Sequence, residues 1–195
     1  REDKKQKGLL YGGTETGLVV SLDDGQHWQP LQLNLPIVPI NDLASHDNDL
    51  IAATAGRSFW ILDDLGAIQN SVSPATKLSI VTPKPSYRIF NGSTDKPVQG
   101  LGQNPKSGVT FDYYLPKKLD STELKLEVLS GGKVIRTINN QAQKDFKSWP
   151  GGPSKPAVLP SLKGYNRFTW DFSREPVLPV DQVFVYGSYQ GARVA

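Results

Sequence analysis

The first third of the chain alternates short apolar segments with polar turns, which is the pattern of successive β-strands. Six such segments are predicted as strands, at residues 9–13, 17–22, 28–33, 40–45, 50–54 and 58–62. Pro36 and Pro39 interrupt the chain between the third strand and the fourth, because proline cannot donate a hydrogen bond to a strand ladder. The pattern therefore predicts two groups of three strands.

From residue 108 onwards apolar positions alternate with polar ones, as in a strand with one buried face. Val109, Phe111 and Tyr113 share one face of the first such strand. Further strands are predicted at residues 124–128, 133–138, 164–171 and 183–186. Strands at this spacing indicate an antiparallel sandwich. The region between the halves is rich in Ser, Pro, Lys and Gly and predicts an extended linker with one apolar run at 78–81.

The first six predicted strands contain an internal repeat. Shifted by 40 residues, segment 10–24 aligns with segment 50–64 without a gap. Five positions are identical: Leu10 with Leu50, Thr14 with Thr54, Leu22 with Leu62, Asp23 with Asp63, and Asp24 with Asp64. A period of ~40–45 residues is that of a propeller blade with four strands. Six strands would make about one and a half blades, so we expect the remaining blades upstream in the same polypeptide or in another chain.

Composition narrows the function classes. The 195 residues include 22 basic and 19 acidic ones spread along the chain, which is not the clustered charge of a nucleic-acid-binding face. The absence of cysteine excludes disulfides and thiolate metal sites. No apolar run reaches the ~18–20 residues of a membrane helix, and no segment has the pattern of a signal peptide. Because the chain has no methionine, even at position 1, we expect it to be a piece of a longer polypeptide. Residues 1–7 mix charges and predict a solvated tail.

One turn carries a specific signature, since residues 21–28 read S-L-D-D-G-Q-H-W. Aspartate side chains bond nearby backbone N–H groups, Gly25 tolerates a positive φ, and Trp28 is expected to enter a core. The spacing of Ser21, Asp23, Gly25 and Trp28 resembles the Asp box, the hairpin signature of neuraminidase-type repeats in sialidase and sortilin-type β-propellers. Asp63 and Asp64 form a degenerate second box without the tryptophan. In that family the Asp box stabilises a turn and lies away from the catalytic centre.

Two further segments extend the resemblance. Residues 54–64 resemble the closing blade of bacterial sortilin-like repeat proteins. Gly164, Asn166, Trp170 and Asp171 resemble the turn and core tryptophan of the immunoglobulin/fibronectin-like module that follows such propellers. The resemblance implies an all-β chain with the terminal blades of a β-propeller followed by an incomplete immunoglobulin-like β-sandwich. It divides the chain into a tail at 1–7, the end of the propeller at 8–66, a linker at 67–106 and a sandwich at 107–195 that we expect to be truncated.

The sequence contains few candidates for catalytic, metal-binding or ligand-binding residues. The two histidines, His27 and His46, lie in separate turns, and no Ser/His/Asp arrangement is evident. Adjacent aspartates point to opposite faces of a strand, which does not suit the carboxylate pair of a glycosidase. The aspartate-rich turns also lack the full D-x-D-x-D-G spacing with a distal glutamate that a calcium loop uses. We therefore expect no catalytic, cofactor-binding or metal-binding residues. Arg57 is the one weak ligand candidate, because sialidases bind a carboxylate with several arginines. An ion pair with an aspartate in the neighbouring blade is the alternative.

Two functions remain open. The resemblance implies a non-catalytic scaffold or binding segment of a secreted or cell-surface bacterial protein, with protein or peptide partners that could include an outer-membrane assembly. The alternative is the C-terminal part of a sialidase-like glycoside hydrolase whose catalytic residues lie upstream. Asn91-Gly92-Ser93 fits an N-glycosylation sequon, and Asp120-Ser121-Thr122 resembles a short O-glycosylation motif of Bacteroidetes. We also expect poor solubility, because Phe59, Trp60 and Leu62 would lose a neighbouring blade.

Overall fold

The strands that the sequence pattern predicts form small antiparallel sheets in the computed structural model. It describes residues 1–73, 75–88, 106–120, 123–142, 146–147, 149–150, 152, 154–176 and 183. The chain divides into two units, Arg1–Thr82 and Pro83–Ala195. The all-β prediction is confirmed, with a single short helix among the described residues.

The first unit contains two antiparallel meanders. Its elements in chain order are β1 (Leu10–Thr14), β2 (Gly17–Ser21), β3 (Gln29–Pro30), β4 (Ile40–His46), β5 (Asp49–Thr54), β6 (Phe59–Leu62), α1 (Gly66–Ser71) and β7 (Ser79–Ile80). One sheet has the order β1-β2-β3 and the other β4-β5-β6. Strand β3 is shorter than predicted, because Pro30 lacks an N–H and Leu33 takes a positive φ of 43°.

Both meanders contribute to one apolar core. Its buried members are Leu9, Tyr11, Leu18, Val20, Leu43, Leu50, Ala52 and Leu65. Trp60 and Leu62 of β6 pack against this cluster from the edge of the second sheet. The first unit therefore buries the inner faces of both sheets within residues 1–82.

Residues 1–7 are not the solvated tail that their charges predict. Glu2 forms an antiparallel bridge with Leu10. The Asp3 N–H donates to the Leu9 carbonyl over 2.8 Å, and the Tyr11 N–H donates to the Arg1 carbonyl over 2.7 Å. These bonds add a fourth extended segment to the edge of β1. The charged side chains of residues 1–7 gave no strand pattern in the sequence, because a segment at a sheet edge can keep long side chains in water while its backbone pairs.

The repeat is visible in the two hairpins. The Thr14 hydroxyl donates to the Gly17 carbonyl over 2.9 Å, and the Thr54 hydroxyl donates to the Ser58 carbonyl over 2.7 Å. The registers differ by one residue, because Leu10 lies opposite Ser21 whereas Leu50 lies opposite Leu62. The identical threonines thus close equivalent turns, and the second turn is one residue longer.

Helix α1 lies where the sequence predicts the start of an extended linker. Ile68 and Val72, one turn apart, pack against the core of the first unit. Asn70 Nδ2 donates to the Gly66 carbonyl and Ser71 Oγ to the Ala67 carbonyl, each over 2.8 Å. Ser71, one of the serines on which the linker prediction rested, therefore bonds the helix backbone itself, as Asn70 does. Within the described ranges, no helix has the length and apolar character needed to cross a membrane.

The second unit holds two strand pairs. Its strands are β8 (Val109–Leu115), β9 (Lys125–Ser130), β10 (Lys133–Asn139) and β11 (Gly164–Trp170). Strand β8 pairs with β11 and β9 with β10, both antiparallel. Gly131 and Gly132 take φ values of 56° and 77°, which a two-residue hairpin turn requires. The core of this unit consists of Tyr113, Leu115, Leu124, Ile138 and Leu159.

Strand β8 departs from simple alternation at Asp112. This carboxylate is buried opposite Arg167 of β11, whose Nε and Nη2 donate to its two oxygens over 2.7 and 2.8 Å. A two-bond pairing of this kind compensates the cost of taking a carboxylate out of water. The sequence pattern could not reveal it, because the arginine lies 55 residues away.

Candidate functional site

The turn at residues 21–28, between β2 and β3, is closed by its own side chains. The fully buried Ser21 Oγ donates to Asp23 Oδ1 over 2.8 Å and accepts the Gly25 N–H over 2.9 Å. Asp23 Oδ1 also accepts the His27 N–H over 2.8 Å. Gly25 takes a φ of 86°, which favours glycine. The signature residues therefore hold the turn in place.

The remaining oxygen of Asp23 faces the His27 ring. His27 Nδ1 lies 2.5 Å from Asp23 Oδ2, and the ring is otherwise exposed. The His27 backbone N–H, and after it the His27 side chain, lower the pKa of Asp23 to about 2. Ser21 donates to the same carboxylate and not to the imidazole, so the three residues do not form a catalytic triad, in which the histidine lies between serine and aspartate.

Trp28 is not buried in a core as the sequence predicts. It is 48% exposed and lies over Gly12 on the outer face of the sheet, where a Cβ atom at position 12 would come within 3.1 Å of the indole ring. The reason is geometric: the core lies on the opposite face, and Gly12 leaves a flat surface for the ring. Trp28 therefore covers the outside of the sheet.

The second turn is held by Asp64. Its Oδ1 accepts Asn48 Nδ2 over 2.8 Å and the Gly66 N–H over 3.1 Å, while its own N–H donates to Asp49 Oδ1 over 2.9 Å. Asp64 takes a φ of 57°, close to the 58° of Asp24 in the first turn. Asp63 is exposed at the end of β6. An aspartate thus closes the second turn as well.

A buried polar network that the sequence reading missed joins the N-terminal segment to α1. Asp3, which is 7% exposed, accepts hydrogen bonds from the Tyr11 hydroxyl at 3.1 Å and from Gln69 Nε2 at 3.0 and 3.1 Å. The Lys5 and Gln6 N–H groups donate to it at 2.8 and 2.9 Å. Burial raises the pKa of Asp3, but these bonds, led by Gln69, together bring it below its usual value.

The network around Asp3 also changes the pKa of Tyr11, and the internal repeat could have indicated the strand that carries Asp3. Burial, followed by the negative charge of Asp3, raises the pKa of the Tyr11 hydroxyl far above its usual value. Gln69 Nε2 also donates to Asn48 Oδ1 over 3.0 Å, which links the network to the second turn. If the 40-residue repeat is extended back to residue 1, Asp3 aligns in sequence with Leu43 of β4. That alignment would have predicted a strand at Asp3.

Arg57 lies exposed in the turn between β5 and β6, and its carbonyl accepts the Trp60 indole N–H over 3.0 Å. Among the described residues it forms no ion pair with an aspartate, which was the alternative interpretation. Within the described part of the chain, no group of three His, Cys, Asp or Glu residues could hold a metal ion.

A small apolar cleft lies between the two meanders. It is lined mainly by leucines of β2, of residues 31–35 and of β5, together with Trp60, and its volume is about 40 Å³. Ligand pockets typically measure ~300–1,000 Å³. This cleft is therefore too small for a substrate.

The sequence-predicted residues of the second unit also have structural roles. Asn166 Nδ2 donates to the Leu162 and Gly164 carbonyls over 2.7 and 3.0 Å, and its Oδ1 accepts the Leu162 N–H. Trp170 is buried and donates to the Ser173 carbonyl over 2.7 Å. Asp171 Oδ1 accepts both the N–H and the hydroxyl of Ser173. These bonds fasten the turns at both ends of β11.

The structure does not bring the predicted residues together into one constellation within either unit. Each belongs to a turn or strand end. Asn91 and Ser121, the candidate glycosylation positions, lie outside the described residues, as does most of the strand predicted at 183–186.

Comparison of the chain with models of known protein families, with curated proteins and with solved structures gave no match. The Asp-box propeller resemblance therefore stays a prediction that rests on the residues quoted for it.

Proposed function

We propose that this chain is a non-catalytic all-β scaffold segment that binds protein or peptide partners. The observation that supports the proposal is that the polar side chains predicted as site residues accept hydrogen bonds from the backbone of their own turns. Ser21, Asp23 and Asp64 each bind backbone N–H groups of their own turns. Side-chain oxygens that accept these backbone hydrogen bonds stabilise the turns and leave few free acceptors for a substrate.

The proposed architecture is the end of an Asp-box β-propeller joined to an incomplete immunoglobulin-like sandwich. The N-terminal segment with β1, β2 and β3 supports it, because together they make a four-stranded antiparallel meander, the composition of a blade. A second meander, β4-β5-β6, shares its core. The Asp box between the third and fourth members of the first meander is a further support.

The proposed location is the bacterial cell surface or envelope, or outside the cell. It rests on the resemblance to bacterial sortilin-like repeat proteins, which implies protein or peptide partners. Exposed apolar side chains on a described strand, such as Phe59 and Ile61 of β6, suit such partners, because extended peptides can add to a sheet through backbone hydrogen bonds while their side chains contact such residues.

The experiment has two parts. The 195-residue chain is incubated with fluorogenic sialosides and other glycosides, and separately used to select binders from a displayed random-peptide library. We expect no turnover and enrichment of extended apolar peptides. Glycoside turnover that disappears when one of this chain's carboxylates is replaced by its amide would overturn the proposal, and so would a failure to select any peptide.

A further inference from the structure

The outer edge of β10 is closed by residues 174–176, which we call the strap. The Glu175 N–H donates to the Ile135 carbonyl over 3.1 Å. The Thr137 N–H donates to Glu175 Oε1 over 2.5 Å, whereas β10 pairs with β9 along its other side. A side-chain carboxylate therefore lies where a neighbouring strand would place a backbone carbonyl.

Arg136 of β10 binds the strap through its charge. Its Nη1 donates to the Arg174 carbonyl over 3.1 Å and lies 3.6 Å from Glu175 Oε2. The Arg136 side chain is 15% exposed and the Glu175 side chain 56% exposed, so the arginine is packed into the strand and the glutamate reaches it from the surface. The edge of β10 thus contacts two features of the strap, its backbone and its acidic side chain.

Few contacts hold the strap in its closed position. Residues 174–176 are all exposed, so their release uncovers little apolar surface. Among the described residues, a single backbone-to-backbone hydrogen bond joins them to β10. Arg136 Nε is buried without a hydrogen-bond partner in the described part of the chain, which is a cost of the closed arrangement. Segments with so few buried contacts open at low free energy and can be displaced.

Exposed apolar side chains lie beside the position of the strap. Val134 of β10 lies opposite Leu129 of β9, and the two are 50% and 58% exposed. Further along β10, the Leu159 N–H donates to the Asn139 carbonyl over 2.9 Å, so that part of the edge is already occupied. A chain that replaced the strap would therefore lie along residues 133–137, in contact with an arginine and with this apolar pair.

We propose that this edge of β10 binds an extended peptide that carries an acidic residue, and that the strap fills the site until such a peptide displaces it. The backbone of the peptide bonds Ile135 and Thr137 as a neighbouring strand does, and its carboxylate pairs with Arg136. The choice of a peptide partner rests on the proposed function, whereas closure of the edge by Glu175 does not depend on it.

The probe is a synthetic peptide with the sequence of residues 171–178, titrated into the isotope-labelled 195-residue chain while NMR follows the Ile135 and Thr137 amides. Glu175→Ala releases the chain's own strap, so it is expected to bind the peptide roughly tenfold more tightly than wild type does. Glu127→Ala, at an exposed position opposite Thr137 on β9, is the matched control and should bind as wild type does. Equal affinities of Glu175→Ala and wild type, or binding that leaves both amides unperturbed, overturn the proposal.

A second peptide, identical except for Glu175→Gln, tests the recognition of acid. It is expected to bind the Glu175→Ala chain roughly tenfold more weakly than the first peptide does. Adding Arg136→Gln to that chain should remove the difference, because the carboxylate then has no charged partner, and a difference that persists would refute the role of Arg136.

Hydrogen exchange without peptide tests the strap itself. The Thr137 amide should exchange faster in Glu175→Ala than in wild type, because it loses its acceptor. Equal exchange would show that the strap does not close the edge. Library-selected peptides that bind away from β10, together with a strap peptide that does not bind, would refute this inference and leave the proposed function standing.

Discussion

At the scale of single residues, the turn at residues 21–28 is held by a set of hydrogen bonds around one buried hydroxyl. Ser21 Oγ serves both the Asp23 carboxylate and the Gly25 N–H. The sequence predicted this turn, because serine, aspartate and glycine at that spacing have few other uses in a hairpin. It could not predict the exposure of Trp28, since apolar area alone does not decide which face of a sheet a ring covers.

Replacing Ser21 with alanine should destabilise the first unit by about 1–3 kcal/mol, because the Gly25 N–H and Asp23 lose their buried partner. Denaturant unfolding followed by tryptophan fluorescence measures the loss. Ser73→Ala, at an exposed position of the same unit, is the matched control and should leave stability within the error. Equal effects of the two substitutions would contradict the role given to the Ser21 hydroxyl.

Acid should weaken the fold through Asp23. Its folded pKa of about 2 lies below the ordinary 3.8, so its contribution is fully present above the ordinary value and is lost as the pH falls towards the folded one. Unfolding free energy measured in a pH series is expected to fall over that interval, and less steeply in Asp23→Asn. Asp24→Asn is the control, because the Asp24 carboxylate makes none of these hydrogen bonds. The same slope in all three proteins would refute the assignment.

At the scale of elements, the predictions from sequence were wrong where charged and polar residues form a strand segment or a helix. Alternation located β1, β2 and β4 to β6 within two residues. It missed the N-terminal segment and α1, because both are fastened by the long-range network around Asp3 and Gln69, which are 66 residues apart. The periodicity of apolar residues indicates which face of a strand or helix is buried. A buried polar network joins residues far apart in the chain and leaves no such periodic pattern.

Asp3→Ala should release the N-terminal segment from β1. It removes the acceptor of the Tyr11 hydroxyl, of Gln69 and of two backbone N–H groups, so a loss of about 2–4 kcal/mol is expected. The Tyr11 amide, which donates to the Arg1 carbonyl, should exchange with solvent faster. Lys5→Ala, an exposed neighbour, serves as the control. Unchanged Tyr11 exchange in Asp3→Ala would show that the segment is held by its backbone bonds alone.

At the scale of the whole molecule, the two apolar cores lie in different units. Every member of the first cluster belongs to Arg1–Thr82 and every member of the second to Pro83–Ala195. The sequence predicted two β regions from the change of pattern near residue 108, and composition could not locate the boundary, because the intervening Ser- and Pro-rich residues include α1 and β7. Since each core closes within its own unit, the units should unfold as separate cooperative bodies.

A matched pair of core substitutions tests this independence. Leu50 and Leu115 are each 1% exposed, one in each core, so Leu50→Ala and Leu115→Ala should each cost about 2–5 kcal/mol. Hydrogen exchange of the full chain in mild denaturant reports each unit through its own amides, those of β1 and β5 for the first and of β8 and β11 for the second. Leu50→Ala should accelerate exchange in the first set alone, and Leu115→Ala in the second set alone, because a cavity weakens only the cooperative body that contains it. If either substitution lowered protection equally in both sets, the two cores would form one folding unit, and the division at Thr82 would have no energetic meaning.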